Sequence, residues 1–190
     1  HDKDTHRTCG GKNLTIKNTP SLLLRDLDAG GWKEERFKGE KIPFLEEILA
    51  TIPDGKTLVV EIKCDKEVIP HLTRIFSKEK HLGQVAFIGF DWETIVEVKK
   101  SFPHNMALWL SGSRQAALKK LDEVKAAGLA GINMQYSAID QELVTAAREK
   151  GLEVWAWTVD NPEEAKRLSS VGVTHFTTNR PAWLKEQVGN

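Results

Sequence analysis

Leu58–Asp65 reads LVVEIKCD, an apolar run that breaks into Glu61, Ile62 and Lys63. Glu61 and Lys63 are two positions apart, so on an extended chain a carboxylate and an ammonium leave the same face. One account of the pair is structural: an inward charge at a strand end needs a partner, and a salt bridge would brace it. The other is chemical, with fixed charges of both signs forming half of an active site. Two more stretches hold residue types that could act beside them. The chain opens HDKDTHRT, with His1 next to Asp2, and VWAWTVD carries Trp155 and Trp157. Those tryptophans alternate along one strand and share a face, Trp157 being nearer the C-terminal end.

These residues must be positioned by regular elements, and the pattern supplies them. From residue 57 onward, short apolar runs alternate with amphipathic stretches. The runs are Thr57–Lys63, Val85–Phe90, Ala107–Leu110, Gly131–Met134, Val154–Val159 and Thr174–Thr178. Between them lie helix-like segments at Val68–Lys78, Trp92–Lys100, Arg114–Ala127, Gln141–Lys150 and Pro162–Ser170. Asp91 is placed to cap the helix from Trp92, and Asn161 followed by Pro162 is a cap with proline in the first turn. Gly128, Gly151 and Gly172 each follow a helix-like segment, where a left-handed residue ends it.

Strands separated by helices of this length predict βαβ units and a parallel sheet buried on both faces. A doubly wound nucleotide-binding sheet would carry a glycine-rich phosphate loop after an early strand. No GxGxxG or Walker-type stretch is present. A barrel instead places polar residues at the C-terminal ends of its strands, where the active site lies. Glu61 with Lys63, Trp157 with Thr158, and Thr178 with Asn179 fit that rule. The expected fold class is therefore α/β, a (β/α)8 TIM-type barrel. Only six strands are evident, so the expectation includes N-terminal strands missing from this chain. Residues 1–190 are read as a single, partial barrel domain. Within it, residues 1–56 form a loop and helix region, with short helices over Ser21–Leu27 and Phe44–Thr51, and residues 57–190 form six strand–helix units.

Composition narrows the partners. The 190 residues suit one domain, and the 27 basic and 27 acidic side chains cancel. A balanced charge argues against a polyanion-binding surface, so no nucleic-acid partner is expected. No apolar run reaches the roughly 18 residues of a membrane span, and no signal peptide is evident, which assigns no compartment, cytoplasmic, periplasmic or secreted. Cys9 and Cys64 match no metal or redox spacing; a disulfide and two thiols both stay open. The charge runs KEERFKGEK and SKEKH read as solvated surface.

HDKDTHRT, LRDLDAGGW (Leu24–Trp32), FKGEKIPFLEEIL (Phe37–Leu49), LVVEIK, VWAWTVDNPEEAKRL (Val154–Leu168) and GVTHFTTNRP (Gly172–Pro181) together resemble the glycerophosphodiester phosphodiesterase family, in the family's order and nearly end to end. The resemblance implies a (β/α)8 barrel and metal-dependent hydrolysis of small-molecule glycerophosphodiesters to glycerol 3-phosphate and an alcohol. Such hydrolysis needs a proton acceptor, a proton donor and charge opposite the phosphoryl oxygens. By the resemblance, His1 is one of two acid–base histidines, Glu61 a ligand of a divalent metal, Mg²⁺ or Ca²⁺, and Lys63 a phosphate-binding residue. Trp157 becomes an apolar wall of the substrate pocket, while Arg7 and Thr8 stabilise the loop that follows them.

The family also carries an HRG motif and an acidic ExD motif upstream of its HD motif, and neither occurs in this chain. Truncation explains this, as does a degenerate relative. Gly89 stands where serine is common, Asp160 where the family has the asparagine of WTVN, and Asn179 where it has the aspartate of TDRP. Two alternatives accompany the enzyme reading: a related phosphodiesterase acting on lysophospholipids, and a non-catalytic barrel binding a phosphorylated ligand or a partner protein. Oligomeric state is not legible.

Overall fold

The structure, a computed structural model, describes residues 2–78 and 80–189. The chain divides into two compact units, His1–Thr51 and Ile52–Asn190.

The first unit has two short helices, α1 (Ser21–Arg25) and α2 (Leu45–Leu49), joined by turns. Polar side chains organise it. The buried Thr5 hydroxyl donates to the Lys12 carbonyl at 2.5 Å and accepts from Leu14 N–H at 3.0 Å. The Asp28 carboxylate accepts the N–H groups of Gly30 and Gly31, each at 2.9 Å. Arg25 pairs with Glu47 and donates to the Ile42 carbonyl at 2.7 Å, tying α1 to α2. Arg7 holds Asp2 at 2.6 Å and lies over the Trp32 ring, a loop-stabilising role.

The second unit is a six-stranded, all-parallel sheet in sequential order, β1 (Leu58–Ile62), β2 (Val85–Gly89), β3 (Met106–Ser111), β4 (Gly131–Gln135), β5 (Glu153–Trp157) and β6 (His175–Phe176). The connections hold α3 (Ile69–Phe76), α4 (Trp92–Ser101), α5 (Arg114–Ala126), α6 (Gln141–Glu149) and α7 (Pro162–Ser170), and α8 (Pro181–Val188) closes the unit. β2, β3 and β4 are buried almost throughout, the consequence of covering a parallel sheet on both faces. On one face Phe87 meets Phe76 and Phe102. The other face gathers Ala86, Ile88, Leu108, Leu110 and Trp155, with Trp157 packed against them. β1 and β6 do not pair, yet Thr57 and Val59 share a cavity of about 300 Å³ with His175, Phe176 and Thr177. The sheet is therefore curled, part of a barrel with six strands; an eight-stranded closure is not seen among the described residues.

The helix boundaries follow from local chemistry. Asp91 accepts Thr94 N–H at 2.8 Å, Ser113 accepts Ala116 N–H at 3.2 Å, and Asp140 accepts Leu143 N–H at 2.9 Å. Asn161 caps α7 through Glu163 N–H at 2.9 Å, with Pro162 in the first turn. Gly128, Gly151 and Gly172 have φ of 71°, 74° and 100°, the left-handed conformation that ends their helices. One strand is shorter than expected: β6 spans His175–Phe176 rather than Thr174–Thr178. It pairs on one side only, and Thr178 turns out of the ladder to donate to Asp160. Neither cysteine forms a disulfide, and among the described residues no helix is long and apolar enough to cross a membrane.

Gly131 marks the tightest approach in the sheet. A Cβ there would sit 2.0 Å from the Glu153 carbonyl oxygen and 2.7 Å from the Glu153 backbone nitrogen. Backbone cannot yield as a flexible side chain does, so Gly131→Ala must push β4 from β5. The expected loss is about 3 kcal/mol, the upper end for overpacking, read by urea unfolding; a loss under about 1 kcal/mol contradicts this packing.

Candidate active site

Alternation along each strand decides which side chains reach the C-terminal rim on the inner face. Val59, Glu61 and Lys63 leave β1 on one side, and Val59 lines the inner cavity with Met106, Trp155 and His175. Glu61 is therefore an inner residue near the C-terminal end of β1, and Lys63, two residues on, stands just past the strand's last residue, Ile62. Lys63 Nζ lies 2.8 Å from Glu61 Oε1, with the side chains 42% and 25% exposed. The carboxylate and the ammonium are thus brought together, half-wet and accessible to a solute.

On β5, Trp157 pairs with Gln135 and donates its indole N–H to the Asn133 carbonyl at 3.1 Å. The Phe90 ring meets it edge-on, centroids 5.7 Å apart at 79°. Phe90 is half-exposed, and its own carbonyl accepts the Trp109 indole N–H at 3.0 Å. Trp157 and Phe90 form a right-angled aromatic corner on the rim. Phe90 went unremarked in the sequence because it closes an apolar run; its place two residues after the inner-facing Ile88 was the available signal. One row deeper, Asn133 is 1% exposed and its side-chain oxygen has no hydrogen-bond partner among the described residues. The 300 Å³ cavity itself lies toward the strand starts, beside Thr57, Met106 and His175, away from this rim.

Ties between successive loops hold the rim. Lys66 reaches Glu93 at 2.8 Å, Arg114 holds Asp140 at 2.6 Å and also Glu142, and Arg167 donates to the Ile139 and Tyr136 carbonyls at 2.9 and 3.0 Å. Asp160 joins the last two loops. It accepts the Thr178 hydroxyl and the Asn179 N–H at 2.8 Å, and the Asn179 amide at 2.7 Å. Two of the three departures from the family pattern, Asp160 and Asn179, are partners of each other.

Three rim carboxylates are held below the ordinary range by such bonds. Thr94 lowers Asp91 through its hydroxyl and its N–H; the Leu143 N–H and then Arg114 lower Asp140; the Asn179 N–H, the Asn179 amide and Thr178 lower Asp160. A folded pKa below the unfolded one gives stability that is present above about pH 4 and lost as pH falls through the lowered value. The thermal midpoint should hold steady above about pH 5 and drop on further acidification, measured by melts from pH 2 to 7. A midpoint that rises on acidification contradicts the assignment.

His1, read as an acid–base group, lies outside the described residues. The described residues do not by themselves complete a metal site. Among them no group of three or more His, Cys, Asp and Glu side chains is arranged to hold an ion. Glu61 offers one carboxylate, already neutralised by Lys63, whereas Mg²⁺ and Ca²⁺ call for six or more oxygen donors, waters included.

A curled parallel sheet with charged and aromatic side chains on its C-terminal rim defines the barrel-enzyme class. The family model of glycerophosphoryl diester phosphodiesterases matches residues 1–183, and the chain belongs to that family. A glycerophosphodiester phosphodiesterase of Bacillus subtilis (strain 168) is 29% identical over 201 residues, covering 95% of this chain and 68% of its own. One from Caldanaerobacter subterraneus subsp. tengcongensis is 29% identical over 190 residues, covering 97% and 76%. Among solved structures, an Oleispira antarctica phosphodiesterase in complex with the product sn-glycerol-3-phosphate superposes with a TM-score of 0.90 at 24% identity, over 99% of this chain and 77% of that one. At that identity the likeness speaks for the fold.

Proposed function

We propose that the chain hydrolyses glycerophosphodiesters to glycerol 3-phosphate and an alcohol. The observation that carries this is the Glu61–Lys63 pair on the C-terminal rim of a chain belonging to this family. In the reaction, water adds to phosphorus, the bond from phosphorus to the head-group oxygen breaks, and the alcohol leaves with a proton. Negative charge grows on the phosphoryl oxygens meanwhile, and a cation fixed beside them lowers the barrier. Lys63 is that cation on this chain, held at the rim by Glu61. Trp157 and Phe90 give the carbon skeleton of the substrate an apolar wall. His1 takes the proton-transfer role that the resemblance assigns to it.

The divalent cation implied by the resemblance, Mg²⁺ or Ca²⁺, would take Glu61 as one ligand and needs oxygen donors that the described residues do not supply. The test is release of glycerol 3-phosphate from glycerophosphocholine and glycerophosphoethanolamine, and of the acylated glycerol phosphate from a lysophospholipid, each with Mg²⁺, Ca²⁺ or EDTA. Release from the first two with metal and none with EDTA supports the proposal. Preference for the lysophospholipid moves the substrate class. Binding of glycerol 3-phosphate without turnover of any diester points to a non-catalytic barrel.

A further inference from the structure

The loops after β5 and β6 meet at one side chain. Up to that point the strands are laddered: Thr177 N–H donates to the Ala156 carbonyl and Val159 N–H to the Thr177 carbonyl, both at 2.8 Å. Beyond it, backbone pairing gives way to Asp160. One of its carboxylate oxygens accepts from the Thr178 hydroxyl and the Asn179 N–H, and the other accepts from the Asn179 side-chain amide. The Thr178 hydroxyl in turn accepts Arg180 N–H at 3.2 Å. Three residues before Asp160 stands Trp157, whose indole is fixed at its other edge by the Asn133 carbonyl. The segment that carries the aromatic wall is therefore anchored on the sheet side by Asn133 and on the solvent side by Asp160.

We propose that Asp160 and Asn179 form a positioning clasp for Trp157, and that its two members can trade places. This rests on the phosphodiesterase reading of the rim. The geometry explains the interchange. An asparagine at 160 would accept the same Thr178 hydroxyl and backbone N–H through its carbonyl oxygen. Its amide would donate to an aspartate at 179, so three bonds survive and one runs in the opposite direction. Two carboxylates cannot do this. With aspartate at both positions, acceptor faces acceptor at hydrogen-bond distance, and the loops part unless one carboxyl takes a proton. Arg180 is the charged neighbour of Asp160 on this side and would soften that repulsion without supplying the missing donor.

The test uses the full-length protein and five variants: Asp160→Ala, Asn179→Asp, the exchange Asp160→Asn with Asn179→Asp, Trp157→Ala, and Asn179→Asp combined with Trp157→Ala. Readouts are kcat and KM for a glycerophosphodiester at pH 5 to 8, and the thermal midpoint. Asn179→Asp should raise KM about tenfold at pH 8, with kcat less affected, and recover as pH falls and the facing carboxyls share a proton. Asp160→Ala should raise KM with no such recovery. The exchange should return KM to within about twofold of wild type, and Asn179→Asp should add nothing to KM once Trp157 is gone, the non-additivity of residues acting as one unit. An exchange variant no better than Asn179→Asp overturns the interchange. A full additional KM penalty in the Trp157→Ala background overturns positioning through Trp157. If wild type hydrolyses no diester, the phosphodiesterase reading fails instead, and the thermal midpoints still judge the interchange: lowered in Asn179→Asp, restored by the exchange.

Discussion

Replacing Glu61 with glutamine is expected to cut diester hydrolysis by about 10²–10³-fold, the range for losing one oxyanion donor, because Lys63 is then no longer held opposite the phosphoryl oxygens. The fold should survive. Glutamine keeps the shape and loses the charge, and Glu61 and Lys63 are both partly exposed, where an ion pair contributes about 0–1 kcal/mol. The two accounts of this pair thus separate. A brace for the strand end predicts a lower thermal midpoint and activity that falls only as the folded fraction falls. A catalytic pair predicts lost turnover at an almost unchanged midpoint. Initial rates and melts on the same preparation decide between them, and a variant that melts several degrees lower yet keeps its specific activity refutes the catalytic assignment.

The largest expected effect on stability is at Phe87. It is wholly buried on β2 and faces the helices, stacked on Phe102 at 5.1 Å and edge-on to Phe76 at 5.8 Å; the other two rings meet at 5.5 Å. These rings join α3, β2 and the end of α4 in one contact. Phe87→Ala should cost about 3–5 kcal/mol, from lost burial and the cavity left behind. Folded domains hold only about 5–15 kcal/mol in reserve, so the variant should be largely unfolded in mild urea. The midpoint and slope of a denaturant titration provide the check, and a cost under about 1 kcal/mol would mean that the three rings do not form the packed unit described. The consequence reaches the rim, because β2 ends where Phe90 begins.

How much of this was legible follows from what is local. The strands were visible because a parallel sheet covered on both faces is written as nearly unbroken apolar runs, and VAFIG at Val85–Gly89 is such a run. Asp91, Asn161 and the three left-handed glycines act within a few residues of the helices they bound, so their signals sit beside their effects. Glu61 and Lys63 were legible for the same reason, since a two-residue spacing on a strand fixes a common face. The final helix, Pro181–Val188, was not foreseen; of its residues only Leu184 is buried, so its apolar periodicity is weak. The run KEERFKGEK, read as solvated surface, is exposed at every position but Phe37, and it also holds a helical turn at Glu35–Phe37 with Arg36 over the Phe37 ring. What spacing could not convey were contacts between distant positions. Phe90 against Trp157 is one. Asp160 with Asn179, 19 positions apart, is the other; read singly they were two unexplained departures.

The most direct test is a ³¹P NMR time course of glycerophosphoethanolamine incubated, with Mg²⁺ or Ca²⁺ present, with wild type and with Glu61→Gln. The central claim predicts that the diester resonance gives way to glycerol 3-phosphate with wild type and persists with Glu61→Gln. Equal conversion by both proteins would remove Glu61 from the chemistry, and a diester left intact by wild type would contradict the phosphodiesterase assignment.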